Sequence, residues 1–266
     1  STTFKFRGPA TTIASGCATG LDVLQWGVEQ IRYGHADAAV IGAAESPLTP
    51  LTMAVSCSLN VVSKRNDEPH KAMRPFDKTA DGIVLSEGAG SFVLERESAA
   101  RARGAKIYAE VAGYGAAAEG NNALVIDKEG KALARAIGNA IAEAGMHAHE
   151  LDAAVCHGVS LSMYDRSECA AYKSALGAHA KHIPITAPKS MTGQPYAAGG
   201  LLGVGAALMC LQRGVIPPTI NLDDPDPDCD LDFVPHRARL NDVASVLVTA
   251  MSFGGTHSGV VLRKSG

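Results

Sequence analysis

The stretch Gly8-Pro9-Ala10-Thr11-Thr12-Ile13-Ala14-Ser15-Gly16-Cys17-Ala18-Thr19-Gly20 decides how this chain is read. Residues 11–14 are β-prone, Ser15-Gly16 stops the run, and a helical pattern follows. Leu21, Leu24, Val28 and Ile31 fall on one helical face, with Gly34 as a natural stop. Cys17 therefore stands where a strand turns into a helix. Unpaired N–H groups at a helix start favour negative charge, so that position predicts a stabilised thiolate. Gly16 permits the sharp turn and Gly20 permits close packing behind it. By composition alone, a lone cysteine is more often a small buried hydrophobe. That plainer reading is kept for Cys57, Cys156, Cys169, Cys210 and Cys229.

Working outward, residues 38–43 form a continuous apolar run of strand length, as expected for a strand buried on both faces. Further strands are predicted at residues 91–95, 107–111, 153–156, 183–186, 246–250 and 260–262. Helices are predicted near residues 131–144, 166–176 and 200–212. Alternating strands and helices predict a layered α/β domain. The acidic, proline-rich stretch at residues 223–228 reads better as a solvated connection than as a metal site.

The bulk numbers narrow the function classes. With 266 residues, 46% hydrophobic and 19% charged, the chain can bury a sizeable core. A net charge of -3 with no basic stripe argues against nucleic acid as a partner. The longest apolar stretch, residues 199–211, is too short and too rich in Gly and Ala to span a bilayer. Six cysteines without CxxC or CxxH spacing argue against zinc and against a disulfide framework. They predict a reducing cytoplasm, and no metal is expected.

Six segments follow one another in a specific order. They are Gly8-Pro9 through Gly16-Cys17-Ala18-Thr19-Gly20, Arg74-Pro75-Phe76-Asp77 with Asp81-Gly82, His157-Gly158, Lys189-Ser190-Met191-Thr192-Gly193, Pro217-Pro218-Thr219-Ile220-Asn221-Leu222 and Ser252-Phe253-Gly254-Gly255-Thr256. In this order the chain resembles the β-ketoacyl-[acyl-carrier-protein] synthases of the thiolase-like superfamily, over essentially its whole length. The flavour is that of type II fatty-acid and aromatic-polyketide ketosynthases and their chain-length-factor partners. The resemblance implies the αβαβα layered fold, of which this chain would be the C-terminal portion. It also implies a catalytic set. Cys17 would accept an acyl chain from the phosphopantetheine arm of an acyl carrier protein, with no other cofactor. The backbone N–H groups of Cys17 and Phe253 would form an oxyanion hole. His157 would help decarboxylate the malonyl extender and stabilise the enolate, and Lys189 would support the polar network.

The departures from the pattern are equally specific. The family's second histidine falls on Gln194, which cannot carry a positive charge or shuttle a proton at neutral pH. A glutamate of the following helix falls on Gly203. Two threonines that hold the pantetheine arm fall on Val159 and Leu161, and the asparagine after Gly-Gly-Thr falls on His257. The runs at residues 164–168 and 196–200 look more like the chain-length-factor side, although those partners usually lack the cysteine. Family members also carry a stretch before the Gly8-Pro9 motif. Residues 1–104 resemble the end of the first of two duplicated halves and residues 105–266 the whole of the second. The remainder is expected from another chain, from a cleaved segment, or from sequence outside this stretch. A homo- or heterodimer with a ketosynthase-family subunit is expected, with residues 11–14 pairing across its axis.

Three functions compete at this level. The first is a ketosynthase-like acyltransferase that loads Cys17, with condensation impaired by Gln194. The second is a non-catalytic chain-length-factor-like subunit that shapes the tunnel of an active partner. The third is a thioester hydrolase built on Cys17 and His157.

Overall fold

The computed structural model describes residues 3–123 and 125–266, so residues 1 and 2 of the expected first half lie outside the description. In chain order the elements are α1 (Thr19–Arg32), β1 (Ala38–Glu45), α2 (Pro50–Ser58), β2 (Gly88–Glu95), α3 (Glu97–Ala102), β3 (Glu110–Ala118), α4 (Lys131–Glu143) and β4 (Ala153–Val155). They continue with α5 (Ser162–Leu176), β5 (Ile185–Thr186), α6 (Lys189–Thr192), α7 (Gly199–Arg213), β6 (Val215–Ile216), β7 (Arg239–Leu240), β8 (Ser245–Met251) and β9 (Thr256–Arg263).

A five-stranded mixed sheet, in the order β3-β9-β8-β4-β5, forms the centre. Its middle strand, β8, is buried along its whole length, which explains why the sequence there is a continuous apolar run. β8 pairs in parallel with β4 and antiparallel with β9. On one face lie α4 and α5. The face of α4 made by Leu133, Ala136, Ile137, Ala140 and Ile141 recurs at helical spacing and is buried. On the other face lie α1 and α7, whose Leu21, Leu24, Leu201 and Val204 share a core with Val155, Val248 and Ile41. Beyond them is the β1–β2 ribbon, antiparallel from Ala38↔Glu95 to Glu45↔Gly88. α7 touches both sheets. A Cβ on Gly90 of β2 would lie 3.0 Å from Leu201 Cβ, and one on Gly203 would lie 3.1 Å from a Val248 methyl. The order is thus helix, sheet, helix, sheet. On the outer face of the ribbon Val40 and Val93 lie opposite each other, 54% and 65% exposed.

Several expectations are corrected. Residues 11–14 form no ladder among the described residues, and the pairing expected of them across a dimer axis needs a second subunit. The strand expected at 107–111 runs instead from Glu110 to Ala118. Its alanines and glycines conceal it from a search for bulky β-formers. They are there because α4 lies very close: a Cβ on Gly115 would sit 2.1 Å from the Ala136 carbonyl oxygen. The connection at 223–228 is pinned as well as solvated. Asp77 Oδ2 accepts the N–H groups of Asp223 and Asp224, and Arg74 and Arg166 pair with Asp223 and Asp226. Cys57 is exposed, unlike the other five cysteines. Among the described residues no helix is long and apolar enough to cross a membrane.

The crossing of α1 over α7 fixes where Cys17 sits. A Cβ on Gly20 would lie 2.7 Å from the Leu201 nitrogen and 3.0 Å from the Ala197 oxygen, both backbone atoms that cannot swing aside. Gly20→Ala is therefore expected to destabilise the chain by about 1–3 kcal/mol, as overpacking of a tight core does. Urea denaturation of both forms measures this, and an unchanged midpoint would contradict the packing described.

Candidate active site

The turn bearing Cys17 is held by its neighbours more than by its own helix. Gly16 has φ +64°, in the region that favours glycine. The Ser252 hydroxyl accepts the Ala18 N–H at 2.8 Å and donates to the Ser15 carbonyl at 2.6 Å. This fastens the Cys17 turn to the segment after β8 that carries Phe253. The Phe253 N–H takes no backbone partner among the described residues.

Cys17 is buried and faces a cavity of about 10 Å³ shared with His157, Val159, Leu161, Tyr164, Gln194 and Phe253. A space of that size holds roughly one water. Tyr164 stacks edge-on against Phe253, with ring centroids 5.2 Å apart. Gln194 Nε2 donates to Cys17 Sγ at 3.2 Å, and its Oε1 is buried without a partner among the described residues.

Burial works against the expected thiolate. Cys17 lies in a 3-10 turn, Gly16–Ala18, and α1 begins only at Thr19. Burial pushes the thiol up to about 11, and the Lys189 charge and the Gln194 hydrogen bond offset this only in part. Removing water from a sulfur anion costs more here than the nearby positive charge returns.

His157 follows the end of β4, in a loop stitched by two buried carboxylates from α5. Glu168 accepts the His157 N–H at 2.6 Å, the Gly158 N–H at 2.8 Å and the Thr249 hydroxyl at 2.8 Å. Asp165 accepts the Val159 N–H at 2.9 Å and the Phe76 N–H at 3.0 Å. Burial raises Asp165 to about 7 and raises Glu168 as well. These two residues escaped the sequence reading as site-builders. The signal was there: two acids at i and i+3 just after the histidine loop, one turn apart on a helix. Lys189, at the start of α6, donates to His157 Nδ1 at 2.9 Å and to the His157 carbonyl at 2.7 Å. With Nδ1 thus occupied as an acceptor, the neutral ring carries its proton on Nε2. Burial, the Lys189 charge and His257 hold His157 well below the usual range, so the neutral ring prevails.

Cys17, His157, Lys189, Gln194, Val159, Leu161 and Phe253 are therefore brought together, as expected. Two other named positions are not in the cavity wall. Gly203 turns toward the valines of β8 and β4, so a packing constraint occupies that position. His257, on β9, is buried and lies directly opposite Met251 of β8 in the strand pairing. Its Nε2 meets Glu119 Oε1 at 2.8 Å, and its Nδ1 is buried with no partner among the described residues.

Comparison with known proteins places this geometry. The model of the beta-ketoacyl synthase N-terminal domain matches residues 1–100, and that of the C-terminal domain matches residues 108–223. The tetracenomycin polyketide synthase ketoacyl synthase alpha subunit of Streptomyces glaucescens is 42% identical over 258 residues, 97% of this chain and 61% of that protein. A solved type II acyl-carrier protein in complex with its ketosynthase bound to the hexaketide superposes with a TM-score of 0.95 at 37% identity, over 97% of this chain and 64% of that one. The ishigamide ketosynthase/chain length factor gives 0.89 at 34% identity, over 97% and 61%. This chain spans about three fifths of the length of such curated relatives. The layers described above are those of the thiolase-like ketosynthase fold.

The burial of Cys17 has a direct optical test. A thiol raised to about 11 stays protonated through neutral pH and ionises only in strong alkali. The thiolate ultraviolet absorbance, taken as the difference between the chain and its Cys17→Ala variant, is expected to be absent at pH about 7 and to rise only above about 10. A thiolate signal at neutral pH would show that the helix-start effect outweighs burial.

Proposed function

This chain belongs to the β-ketoacyl synthase family, and from that premise we propose that it is an acyl-loading subunit of a type II fatty-acid or polyketide system in which condensation is impaired. The observation that carries the reading is the Gln194 carboxamide on the Cys17 sulfur, beside an intact His157–Lys189 pair.

The acyl-loading half retains its parts. Cys17 Sγ attacks the thioester carbon of an acyl chain carried on the phosphopantetheine of a carrier protein. The oxyanion is met by the N–H groups of Cys17 and Phe253, a pair of donors typically worth several kcal/mol. The second half is short of one group. Decarboxylation of a malonyl unit leaves an enolate, and His157 can offer its Nε2–H. The second imidazole is replaced by an amide that donates but cannot take or lend a proton. Loss of one such group commonly costs a factor of about a hundred to a thousand.

Access supports a carrier arm as the route in. Leu161 lines both the Cys17 cavity and an outer cavity of about 750 Å³ that Asp81, Ser162 and Arg166 also line. Leu161 is thus the partition between them. The assembly is read in the same spirit. Both outer edges of the β1–β2 ribbon are unpaired among the described residues, and the apolar side chains of Leu51 and Val55 on α2 are exposed. We take these surfaces to be covered by a further family segment and by a second ketosynthase-family subunit. Under that reading residues 1–104 are the end of the first half of a duplicated fold and residues 105–266 are its second half.

The non-catalytic chain-length-factor reading keeps one observation in its favour: the small apolar cavity walled by Val159 and Leu161, where the family has hydroxyls. A hydrolase is less well supported, because His157 presents an N–H to the cavity and not a lone pair.

Incubation with acylated and malonylated carrier protein, followed in parallel by intact mass and by carbon dioxide release, tests the proposal. Acylation of Cys17 is expected, with release slow or absent; Cys17→Ala abolishes the adduct and Gln194→His alone restores little. Release at rates typical of condensing enzymes would overturn the reading, and complete failure to acylate would favour the tunnel-shaping partner. Leu161→Ala, which opens the partition, is expected to raise the rate of acylation several-fold, and an unchanged rate would place the entry elsewhere.

A further inference from the structure

Two cysteines away from the Cys17 cavity face each other across a seam between α5 and the acidic connection that follows residue 222. On α5, Arg166, Cys169 and Lys173 stand at i, i+3 and i+7, on one face of the helix. The opposite face is taken by the entry to α4. A Cβ on Gly130 would lie 2.3 Å from the Ser167 carbonyl oxygen and 2.9 Å from Ala171 Cβ. The Arg166 face turns instead to residues 226–230. Arg166 pairs with Asp226 at 2.8 Å and with Asp228 at 3.4 Å. Lys173 donates to the Asp228 carbonyl at 3.3 Å and pairs with Asp230. Cys169 lies between these two anchors on the helix, and Cys229 lies between them on the connection. Both are free thiols, both are buried in one apolar core, and the Cys229 thiol hydrogen-bonds the Cys169 sulfur.

The pair is chemically unequal. The hydrogen bond from Cys229 lowers the Cys169 thiol against its burial, and the Lys173 charge assists; Asp230 and Glu168 oppose. The same bond, together with burial, holds Cys229 well above the usual thiol range. One sulfur is therefore disposed to lose its proton and its neighbour to keep one. The cover over them is thin. The Arg166, Lys173, Asp228 and Asp230 side chains are all exposed. Exposed ion pairs hold weakly, so the connection lifts locally and admits a small oxidant. Neither cysteine lines the Cys17 cavity.

We propose that Cys169 and Cys229 are a reversible redox pair that a peroxide closes into a disulfide, tying the acidic connection to α5. The inference stands apart from the acyl-loading reading. The Cys169 sulfur attacks one oxygen of hydrogen peroxide and the O–O bond breaks. Cys169 becomes a sulfenic acid, and the departing hydroxide leaves as water with the thiol proton. The Cys229 sulfur then displaces the sulfenic hydroxyl. The S–S bond forms, and a second water carries off the Cys229 proton. Two electrons pass from the two sulfurs to the peroxide, and a small dithiol returns them. The bond joins two supports of the active site. α5 holds the His157 loop through Glu168 and Asp165, and the connection is pinned to Asp77 through the N–H groups of Asp223 and Asp224. Closure thus braces that frame without touching Cys17 or His157.

Peptide mapping of the full chain after hydrogen peroxide, with thiols blocked by N-ethylmaleimide in denaturant and no reductant, tests this without any variant. The expected product has lost two hydrogens and yields one linked pair of peptides, holding Cys169 and Cys229. Dithiothreitol is expected to return both thiols, and the thermal unfolding midpoint to be higher in the closed form than in the reduced one. Recovery of both cysteines as maleimide adducts, or a bridge from either to another cysteine, overturns the proposal. The order of attack is read with dimedone, which traps a sulfenic acid. Cys229→Ser is expected to give the adduct on Cys169, and Cys169→Ser to give none on Cys229. An adduct on Cys229 alone would overturn the assignment of Cys169 as the attacking sulfur. Carrier-protein acylation of Cys17 is measured separately, and its outcome leaves the peptide map unchanged.

Discussion

The Lys189 ammonium, buried against both the ring and the carbonyl of His157, is the constraint on which the rest of the site depends. A buried cation survives only if its hydrogen bonds are met. Lys189 meets them by occupying the His157 Nδ1 lone pair. That single contact fixes the tautomer and leaves His157 an N–H donor at the wall of the cavity it shares with Cys17. Glu168 and Asp165 then hold the loop from behind through backbone N–H groups, so the donor cannot drift.

Burial governs Cys17 in the same way. The turn geometry alone favours a thiolate, but geometry competes with desolvation. In a cavity of about 10 Å³ walled by Val159, Leu161, Tyr164 and Phe253, desolvation wins. Leu161 lines both this cavity and the larger outer one.

The two sheets show how one pairing scheme is used twice. β1–β2 and β8–β9 are both antiparallel ribbons of strand pairs. β8 and β9 each have a second neighbour, β4 and β3, whereas β1 and β2 have none among the described residues. Free strand edges attract further strands. The sandwiched helices α1 and α7 tie the two systems together through contacts so close that only Gly20 and Gly90 fit.

The sequence by itself determined the α/β class, the resemblance to a layered ketosynthase fold, and the grouping of Cys17, His157, Lys189 and Gln194. Each of these rests on local signals: apolar runs, helical spacing, and motifs in a fixed order. It placed β3 too early, because Glu110–Ala118 is shaped by the close approach of α4 and not by its own propensity. It gave Cys17 a thiolate, because helix-start chemistry is local while desolvation is the sum of walls drawn from distant segments. It passed over Glu168, Asp165 and Glu119, whose acids have no meaning until a fold buries them against particular N–H groups or a ring. Only the tertiary structure decided that Gly203 is a packing position and that His257 is paired with Glu119. Burial and hydrogen-bond partners belong to the assembled chain, and they alone set which nitrogen holds a proton.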